Sequence, residues 1–223
     1  MTPEEEQFEW QRIVSELKER DARMLIASAI DSQVNARERA AACFVLGQRR
    51  ERSVVTDLID VAYDPSELVS ISAIVALSVI GSRKATRQLI RLASNPRVLN
   101  VRTAAISALG FIGDPRAEPI MRRFLTNAND LIRSVSASSL SGLRCRRATV
   151  DALTDRLERD PNPRVRWAAA LTLGHVAGPD WIEILERHLG DDQLVDGIPG
   201  QLSVAEGVRD AIVWLRERSL LRR

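Results

Sequence analysis

The chain has 223 residues, of which 45% are hydrophobic and 28% are charged, and its formal net charge at pH 7 is +2. This balance excludes a disordered chain and fits a soluble protein with one sizeable core or two small ones. Aromatic residues make up only 4%, so the core must consist mainly of Leu, Ile, Val and Ala, which favours closely packed helices.

The first predicted element is a helix over residues 4–20. Asp and Glu crowd its first turn, as the helix dipole favours, and it reads as an N-terminal cap (1–20). The segment has no apolar stretch after a basic start, and no apolar run in the chain approaches 18 residues. We therefore expect a cytoplasmic protein without a signal peptide or membrane segment.

From residue 21 to 190 the chain repeats itself. Five similar segments end at Leu46, Leu77, Leu109, Leu140 and Leu173, which are 31, 32, 31 and 33 residues apart. Each segment carries apolar residues at helical spacing, and a second helical pattern follows it after a Gly- or Pro-containing turn. The sequence therefore predicts a series of helical hairpins, a loop insertion over 191–203 and a terminal helix over 204–220.

The residues of the third copy, "VRTAAISALGFIGDPRAEPIMRRFL" (101–125), resemble the short bacterial HEAT repeat that also occurs in phycobilisome lyases. The resemblance implies an all-α fold, a right-handed α-solenoid of about six antiparallel helix pairs in a single domain over 1–223. The sequence shows no cofactor-binding motif, and we predict no cofactor. The sequence departs from the pattern at Ser78 and Ser141, which replace a helix-ending Gly, at Ser70, which replaces Arg, and in the 191–203 insertion.

Charge is unevenly distributed along the chain. Residues 83–166 carry 17 Lys or Arg against 7 Asp or Glu, whereas the flanking segments are net acidic. Basic residues recur in the turns between repeats, where we expect few acidic neighbours and one solvent-exposed edge. This edge either is solvated without a partner or binds an anion or an acidic protein. We name these residues the basic edge: Arg49, Arg50, Arg83, Lys84, Arg116, Arg146 and Arg147.

A second candidate site lies on the helices that begin each copy, at positions opposite the core stripe. Small hydroxyl side chains there predict a shallow concave groove, and Trp167 closes one end. Trp167 is either an anchor for a partner or a side chain that packs on the neighbouring repeat. The predicted groove residues are Thr103, Ser107, Ser134, Ser138, Trp167 and Leu171.

A further set of arginines, Arg39, Arg102, Arg133 and Arg166, recurs in the first turn of these helices, where a cation opposes the helix dipole. Nearby acids and amides could compensate, so we interpret the set as an internal ladder that ties adjacent repeats together. The candidate partners are Asp64, Asn95, Asp130 and Asp160.

Motifs for catalysis or metal binding are weak. His175 and His188 have no second ligand at metal-binding spacing, and we predict no metal site. Cys43 falls at a core position. Cys145 lies between two arginines that could lower its thiol pKa, but no paired His marks it as a nucleophile. The acidic segment 191–196 matches no calcium-loop pattern and is expected to be a solvated loop.

Three functions remain open. The first is a non-enzymatic scaffold that holds an acidic or helical segment of another protein. The second is a nucleic-acid-binding protein, which includes a resemblance in size and helical build to HEAT-like DNA glycosylases, although no acid is apparent beside Trp167. The third, which the lyase resemblance implies, is a tetrapyrrole lyase or chaperone subunit. The sequence does not indicate an oligomeric state.

Overall fold

The computed structural model describes residues 2–95, 98–196 and 202–220, and within them the chain is all-α, with thirteen α-helices. It divides into two compact units, residues 1–112 and 113–223. The helices of unit 1 are α1 (Pro3–Leu17), α2 (Ala22–Ile30), α3 (Ala36–Gln48), α4 (Val55–Val61), α5 (Glu67–Ile80), α6 (Thr86–Ser94) and α7 (Leu99–Ile112). Those of unit 2 are α8 (Glu118–Phe124), α9 (Asp130–Ser139), α10 (Arg147–Arg159), α11 (Pro163–Val176), α12 (Ile182–Glu186) and α13 (Val204–Leu220).

After α1 the helices alternate between two series. We call α2, α4, α6, α8, α10 and α12 the A helices, and α3, α5, α7, α9, α11 and α13 the B helices. Each A helix and the following B helix form a hairpin, so the described residues contain six helix pairs preceded by one additional helix. The predicted helical hairpins and the N-terminal helix are confirmed.

Local signals set the helix ends. Thr2 begins α1 with a capping box, since its side chain accepts from the Glu5 backbone while its own N–H donates to the Glu5 carboxylate. Asparagines cap three B helices by accepting backbone N–H groups of the first turn, and they are Asn35, Asn129 and Asn162. Gly81 and Gly113 follow α5 and α7 with φ of 71° and 67°, a conformation that glycine adopts without steric cost.

The core of each unit is aliphatic. Leu46, Leu77 and Leu109 in unit 1 and Leu140 and Leu173 in unit 2 are all buried, as their shared position in the repeat predicts. Their equivalent burial confirms the repeat register. Leu140 lies just beyond the end of α9, in a single turn of 3₁₀ helix, where Ser141 replaces the usual glycine.

Within each unit, successive B helices pack closely against one another: α3, α5 and α7 in unit 1, and α9, α11 and α13 in unit 2. A Cβ placed on Gly47 of α3 would lie 2.8 Å from Cα of Ala76 in α5, and one on Gly174 of α11 would lie 2.7 Å from Cα of Ala211 in α13. These distances leave no room for a side chain, so glycine permits the contact. Asn100 Nδ2 donates to Glu67 Oε1 over 2.6 Å and thereby joins the first turns of α7 and α5.

The arginine ladder is internal in three of its four positions. Arg39 pairs with Asp64, Arg133 Nε lies 2.8 Å from Asp160 Oδ2, and Arg166 Nε lies 2.7 Å from Asp191 Oδ2. The three guanidinium groups are almost fully buried. The structural interpretation of the ladder is confirmed at these three positions, and Asp64 and Asp160 are partners as predicted. The side chain of Asp130 accepts instead from Asn162, and Asp191, which was not predicted, pairs with Arg166.

Each ladder arginine lies in the first turn of a B helix, where the helix dipole disfavours a cation, and hydrogen bonds to the preceding A helix compensate for this. Arg39 Nε donates to the Ala29 carbonyl at the end of α2 over 3.0 Å, and Arg166 Nη1 donates to the Asp160 carbonyl at the end of α10 over 2.8 Å. The cations thus lie against the carboxyl ends of A helices, where the dipole favours positive charge. Where Ser70 replaces the arginine, its hydroxyl donates to the Ala62 carbonyl at the end of α4.

The predicted insertion at 191–203 leads directly into α13. Val195 N–H donates to the Leu202 carbonyl, and an isolated bridge links Leu194 to Ser203. Val195 is buried, so the segment packs on unit 2 on both sides of residues 197–201, which lie outside the described residues. The expectation of one continuous domain over 1–223 stays a prediction.

Candidate interaction surface

The predicted groove residues, apart from the buried Ser134, are partly or fully exposed on the B helices. In unit 1, Thr103 and Ser107 of α7 are partly exposed. Thr103 Oγ1 donates to the Asn100 carbonyl of its own helix over 2.9 Å. Because these side chains are small, they project only a short distance from α7, which fits the predicted shallow groove.

Sequence analysis missed the apolar part of this face in unit 1. Leu68, Val75 and Val79 of α5 are 45%, 44% and 41% exposed, and Phe111 of α7 is 82% exposed. Val75 occupies the repeat position of Ser107, and Val79 that of Phe111, counted from Leu77 and Leu109. Applying the groove register to α5 would have found Val75, which shares its repeat position with Ser107, whereas Leu68, Val79 and Phe111 lie at positions that the groove prediction did not include.

In unit 2 the predicted groove residues differ in accessibility. Ser138 is exposed, and Trp167 and Leu171 are partly exposed. Ser134 is only 3% exposed, and its hydroxyl donates to the Leu131 carbonyl over 3.1 Å. Ser134 therefore has little surface left to offer a partner.

The Trp167 indole packs over Gly207 of α13, where a Cβ would lie 2.5 Å from its Cδ1. This is the packing alternative that the sequence leaves open, and it explains why residue 207 has no side chain. The ring nevertheless keeps an exposed part. Eight residues after Trp167, the ring of His175 lies 4.3 Å from the ring of Trp214 in α13, so this face of unit 2 is aromatic.

The other tryptophans support the termini. Trp10 of α1 contacts the Phe44 ring edge-on at 5.9 Å, as expected for a cap on the first hairpin. Trp181 is buried, and its indole N–H donates to Thr154 over 3.0 Å. Trp181 therefore belongs to the core of unit 2, whereas Trp214 is only partly buried.

The basic edge in unit 1 is exposed at all four predicted positions. Arg49 is also structural, because its guanidinium donates to the Lys18 and Arg20 carbonyls after α1. Arg50 follows α3 with a φ of 52°, while Arg83 and Lys84 follow α5. These cations therefore gather at the carboxyl ends of α3 and α5.

In unit 2 the basic edge is less available than expected. Arg116 lies 2.5 Å from Asp114, which raises the pKa of its guanidinium through hydrogen bonding. Arg147 bonds to Asp151 over 2.8 Å and stacks on the Trp181 ring at 4.2 Å. The expectation of few acidic neighbours is wrong for these two residues; Arg146 is exposed.

The cysteines are not activated. Burial raises the pKa of Cys43 to about 12. Burial also raises the pKa of Cys145 to about 12, with a contribution from the Glu118 carboxylate. The expected lowering of the Cys145 pKa by its arginine neighbours is wrong, because both arginine side chains are exposed while the thiol is largely desolvated.

A cleft of about 610 Å³ between α1 and α3 is lined by charges of both signs, and Arg37 in it pairs with Glu9 over 2.5 Å. Within residues 2–95, 98–196 and 202–220, no three His, Cys, Asp or Glu side chains are placed to hold a metal ion. None of the helices in the described ranges has the length and apolarity that a membrane crossing requires.

The repeat architecture has a counterpart among known families. The profile of HEAT repeats matches residues 23–109, 79–141 and 142–196. The chain belongs to the HEAT-repeat family. The matched residues include α2 to α11, so the resemblance seen in the third copy extends over most of the HEAT hairpins.

No curated protein matches the chain in sequence. Solved structures share its fold: the complex of CpcE and CpcF of phycocyanin lyase from Nostoc sp. PCC7120 contains a chain with TM-score 0.54 and 19% identity, covering 94% of this chain and 89% of that one. YibA of Escherichia coli has TM-score 0.61 and 21% identity, covering 95% and 76%. An archaeal HEAT-like repeats protein from Thermococcus onnurineus NA1 has TM-score 0.53 and 12% identity, covering 93% and 92%.

Proposed function

We propose that this HEAT-repeat protein is a non-enzymatic scaffold that binds a segment of another protein on the exposed face of its B helices. The observation that carries the proposal is that each unit by itself exposes apolar or aromatic side chains on its B helices: Val75, Val79 and Phe111 in unit 1, and Trp167 and Leu171 in unit 2. Exposed apolar patches of this kind are typical of protein-binding surfaces. The basic edge supplies an electrostatic preference for acidic partners.

The other two functions have less support. A nucleic-acid interface depends on available cations and stacking aromatic rings, but Arg116 and Arg147 are paired with aspartates and Trp167 is partly covered by α13. A lyase or tetrapyrrole chaperone would require a bound pigment, and the likeness to a phycocyanin lyase subunit is one of fold. A visible absorption band on the purified protein would favour that alternative.

The test is a pull-down with mass spectrometry on the full-length protein. One variant changes the B-helix face (Trp167→Ala), and a second reverses the basic edge (Arg83→Glu, Arg116→Glu, Arg147→Glu). A matched control makes the same charge change on exposed positions of A helices, namely Arg23→Glu, Arg87→Glu and Arg123→Glu.

We expect a partner that the wild type and the A-helix control retain and that at least one of the two site variants loses. Thermal unfolding of each variant shows whether the loss follows from misfolding. A partner retained by both site variants, or lost equally by the control, would contradict the proposal.

A further inference from the structure

On the B-helix face of unit 1, the exposed apolar side chains of α5 form a wall, the small side chains of α7 form a floor, and Phe111 lies at one end. Leu68, Val75 and Val79 stand along one side of α5 at four- and seven-residue steps, and Ile71 lies partly exposed among them. From residue 68 to 79 this wall extends about 16 Å at the rise of an α-helix. We call Leu68, Ile71, Val75, Val79 and Phe111 the unit 1 apolar face.

The floor is α7, which runs parallel to α5 with the two first turns joined by Glu67 and Asn100. Its side chains beside the wall are the small Thr103, Ala104 and Ser107, all partly exposed. Phe111 ends this row. Tall side chains on one helix and short ones on its neighbour form a groove about three helical turns long, which suits one amphipathic helix.

Positive charge predominates around this groove, and the acid beside it, Glu67, lies at the amino-terminal end of α5, where it accepts a hydrogen bond from Asn100. From residue 68 to residue 113 the sequence contains no Asp or Glu but six Lys or Arg. Arg50 and Lys84, both exposed, follow the carboxyl ends of α3 and α5. Val79 and Phe111 lie in the last turns of α5 and α7, so the most exposed apolar residue lies toward the cationic end.

We propose that unit 1 binds an acidic amphipathic helix of another protein in this groove. The apolar side of that helix packs on the unit 1 apolar face, and its acidic residues contact the cations after α3 and α5. The inference rests on the proposed scaffold function and specifies the partner for one part of the surface. A second copy of this chain fits less well, since two copies of this face would bring like charges together.

The test uses fluorescein-labelled synthetic peptides about five helical turns long and the full-length protein. The first peptide carries Leu at i, i+3, i+4 and i+7 with Glu beside them. One control peptide replaces every Glu with Lys, and another replaces every Leu with Ser. By fluorescence anisotropy we expect the Leu–Glu peptide to bind and each control peptide to bind at least about 10-fold more weakly.

Variants of the protein locate the site. Phe111→Ser and Val79→Ser are expected to weaken binding of the Leu–Glu peptide by about 10-fold each, since both side chains are anchors. Val213→Ser, at an exposed position of α13, is the matched control and should bind as the wild type does. Arg50→Glu with Lys84→Glu should weaken binding and reduce its salt dependence, whereas Arg23→Glu with Arg87→Glu should not.

Several results would overturn the proposal. They are equal binding of the Lys and Glu peptides, binding that Phe111→Ser leaves unchanged, or absence of binding. Sedimentation showing a dimer that Phe111→Ser dissociates would assign the face to a second copy. Binding to phosphatidylserine vesicles in place of the peptide would assign it to a membrane. If Trp167→Ala loses a cellular partner while these peptides fail, the scaffold function stands and this inference does not.

Discussion

At the scale of single residues, the buried ion pairs carry the largest expected effects. Asp160 is inaccessible to solvent and holds Arg133 through two hydrogen bonds of 2.8 and 2.9 Å. We expect Asp160→Asn or Arg133→Met to lower the free energy of unfolding by about 3 kcal/mol, because each removes one partner of a buried ion pair. Arg133→Met leaves Asp160 with Arg156 Nη1, at 3.4 Å, as its remaining cationic partner. Urea titration measures the loss.

The double variant and an exposed pair provide the controls. Combining Asp160→Asn with Arg133→Met should cost less than the sum of the two single changes. Arg187→Met removes an exposed pair with Glu183 and should change the free energy of unfolding by no more than about 0.5 kcal/mol. Equal effects at Arg133 and Arg187 would contradict a structural role for the ladder.

The pair of Arg166 and Asp191 makes stability depend on pH. Burial by itself would raise the pKa of Asp191, but the hydrogen bonds and charge of Arg166 outweigh it and hold the pKa below its ordinary 3.8. The carboxylate is thus favoured in the folded state, so its contribution is present above pH 3.8 and is lost as pH falls through the folded pKa. The stability difference between wild type and Asp191→Leu should therefore shrink below about pH 4. A difference that stays constant into acid would contradict this.

Cys145 should react slowly with alkylating reagents. Its thiol pKa of about 12 leaves almost no thiolate at neutral pH. In a Cys43→Ser background, we expect iodoacetamide to modify Cys145 at pH 7.5 at least about 10-fold more slowly than a cysteine in an unfolded peptide. Rapid modification of the folded protein would indicate an activated thiol.

The sequence predicted the ladder arginines better than their partners. The arginines recur at the repeat period, so a single sequence is enough to recognise them. Which aspartate meets which arginine depends on how far each hairpin is offset from the next, and Asp191 lies in a loop outside the repeated pattern. The pKa of Cys145 was predicted wrongly for a similar reason. Its sequence neighbours Arg144 and Arg146 suggested a lowered thiol pKa, but burial by residues distant in sequence raises it.

At the scale of helices, the close approach of α11 and α13 depends on Gly174. We expect Gly174→Ala to destabilise the protein by about 1–3 kcal/mol, because the new methyl group meets backbone atoms of Ala211 that cannot move aside. Gly190→Ala meets nothing within 4 Å and is the matched control. Thermal unfolding distinguishes the two, and a stable Gly174→Ala protein would show that the helices separate easily.

Helix existence and ends were predictable because the repeat, the caps and the glycine stops agree with one another. The terminal helix begins at Val204 and ends at Leu220, as predicted. The apolar exposure of α5 was not predictable from its own composition, since it is apolar on both sides and a single helix does not show which side is covered. Only the repeat register assigns its sides.

At the scale of the whole molecule, net charge opposes strong nucleic-acid binding. The chain carries only +2, and part of its basic middle is paired internally. In an electrophoretic mobility-shift assay, we expect the protein to bind duplex and single-stranded DNA weakly at low salt and not at about 150 mM salt. Sequence-dependent binding that persists at the higher concentration would revive the nucleic-acid hypothesis.

The four indoles are shared unequally between the two units. Trp10 alone lies in unit 1, whereas Trp167, Trp181 and Trp214 lie in unit 2. Intrinsic tryptophan fluorescence therefore reports mainly on residues 113–223. Binding of a ligand at Val79 or Phe111 would not quench a tryptophan of α5 or α7, because neither helix contains one. A ligand could occupy the first half of the chain and leave the spectrum nearly unchanged, so a silent titration there carries no information unless the ligand itself emits.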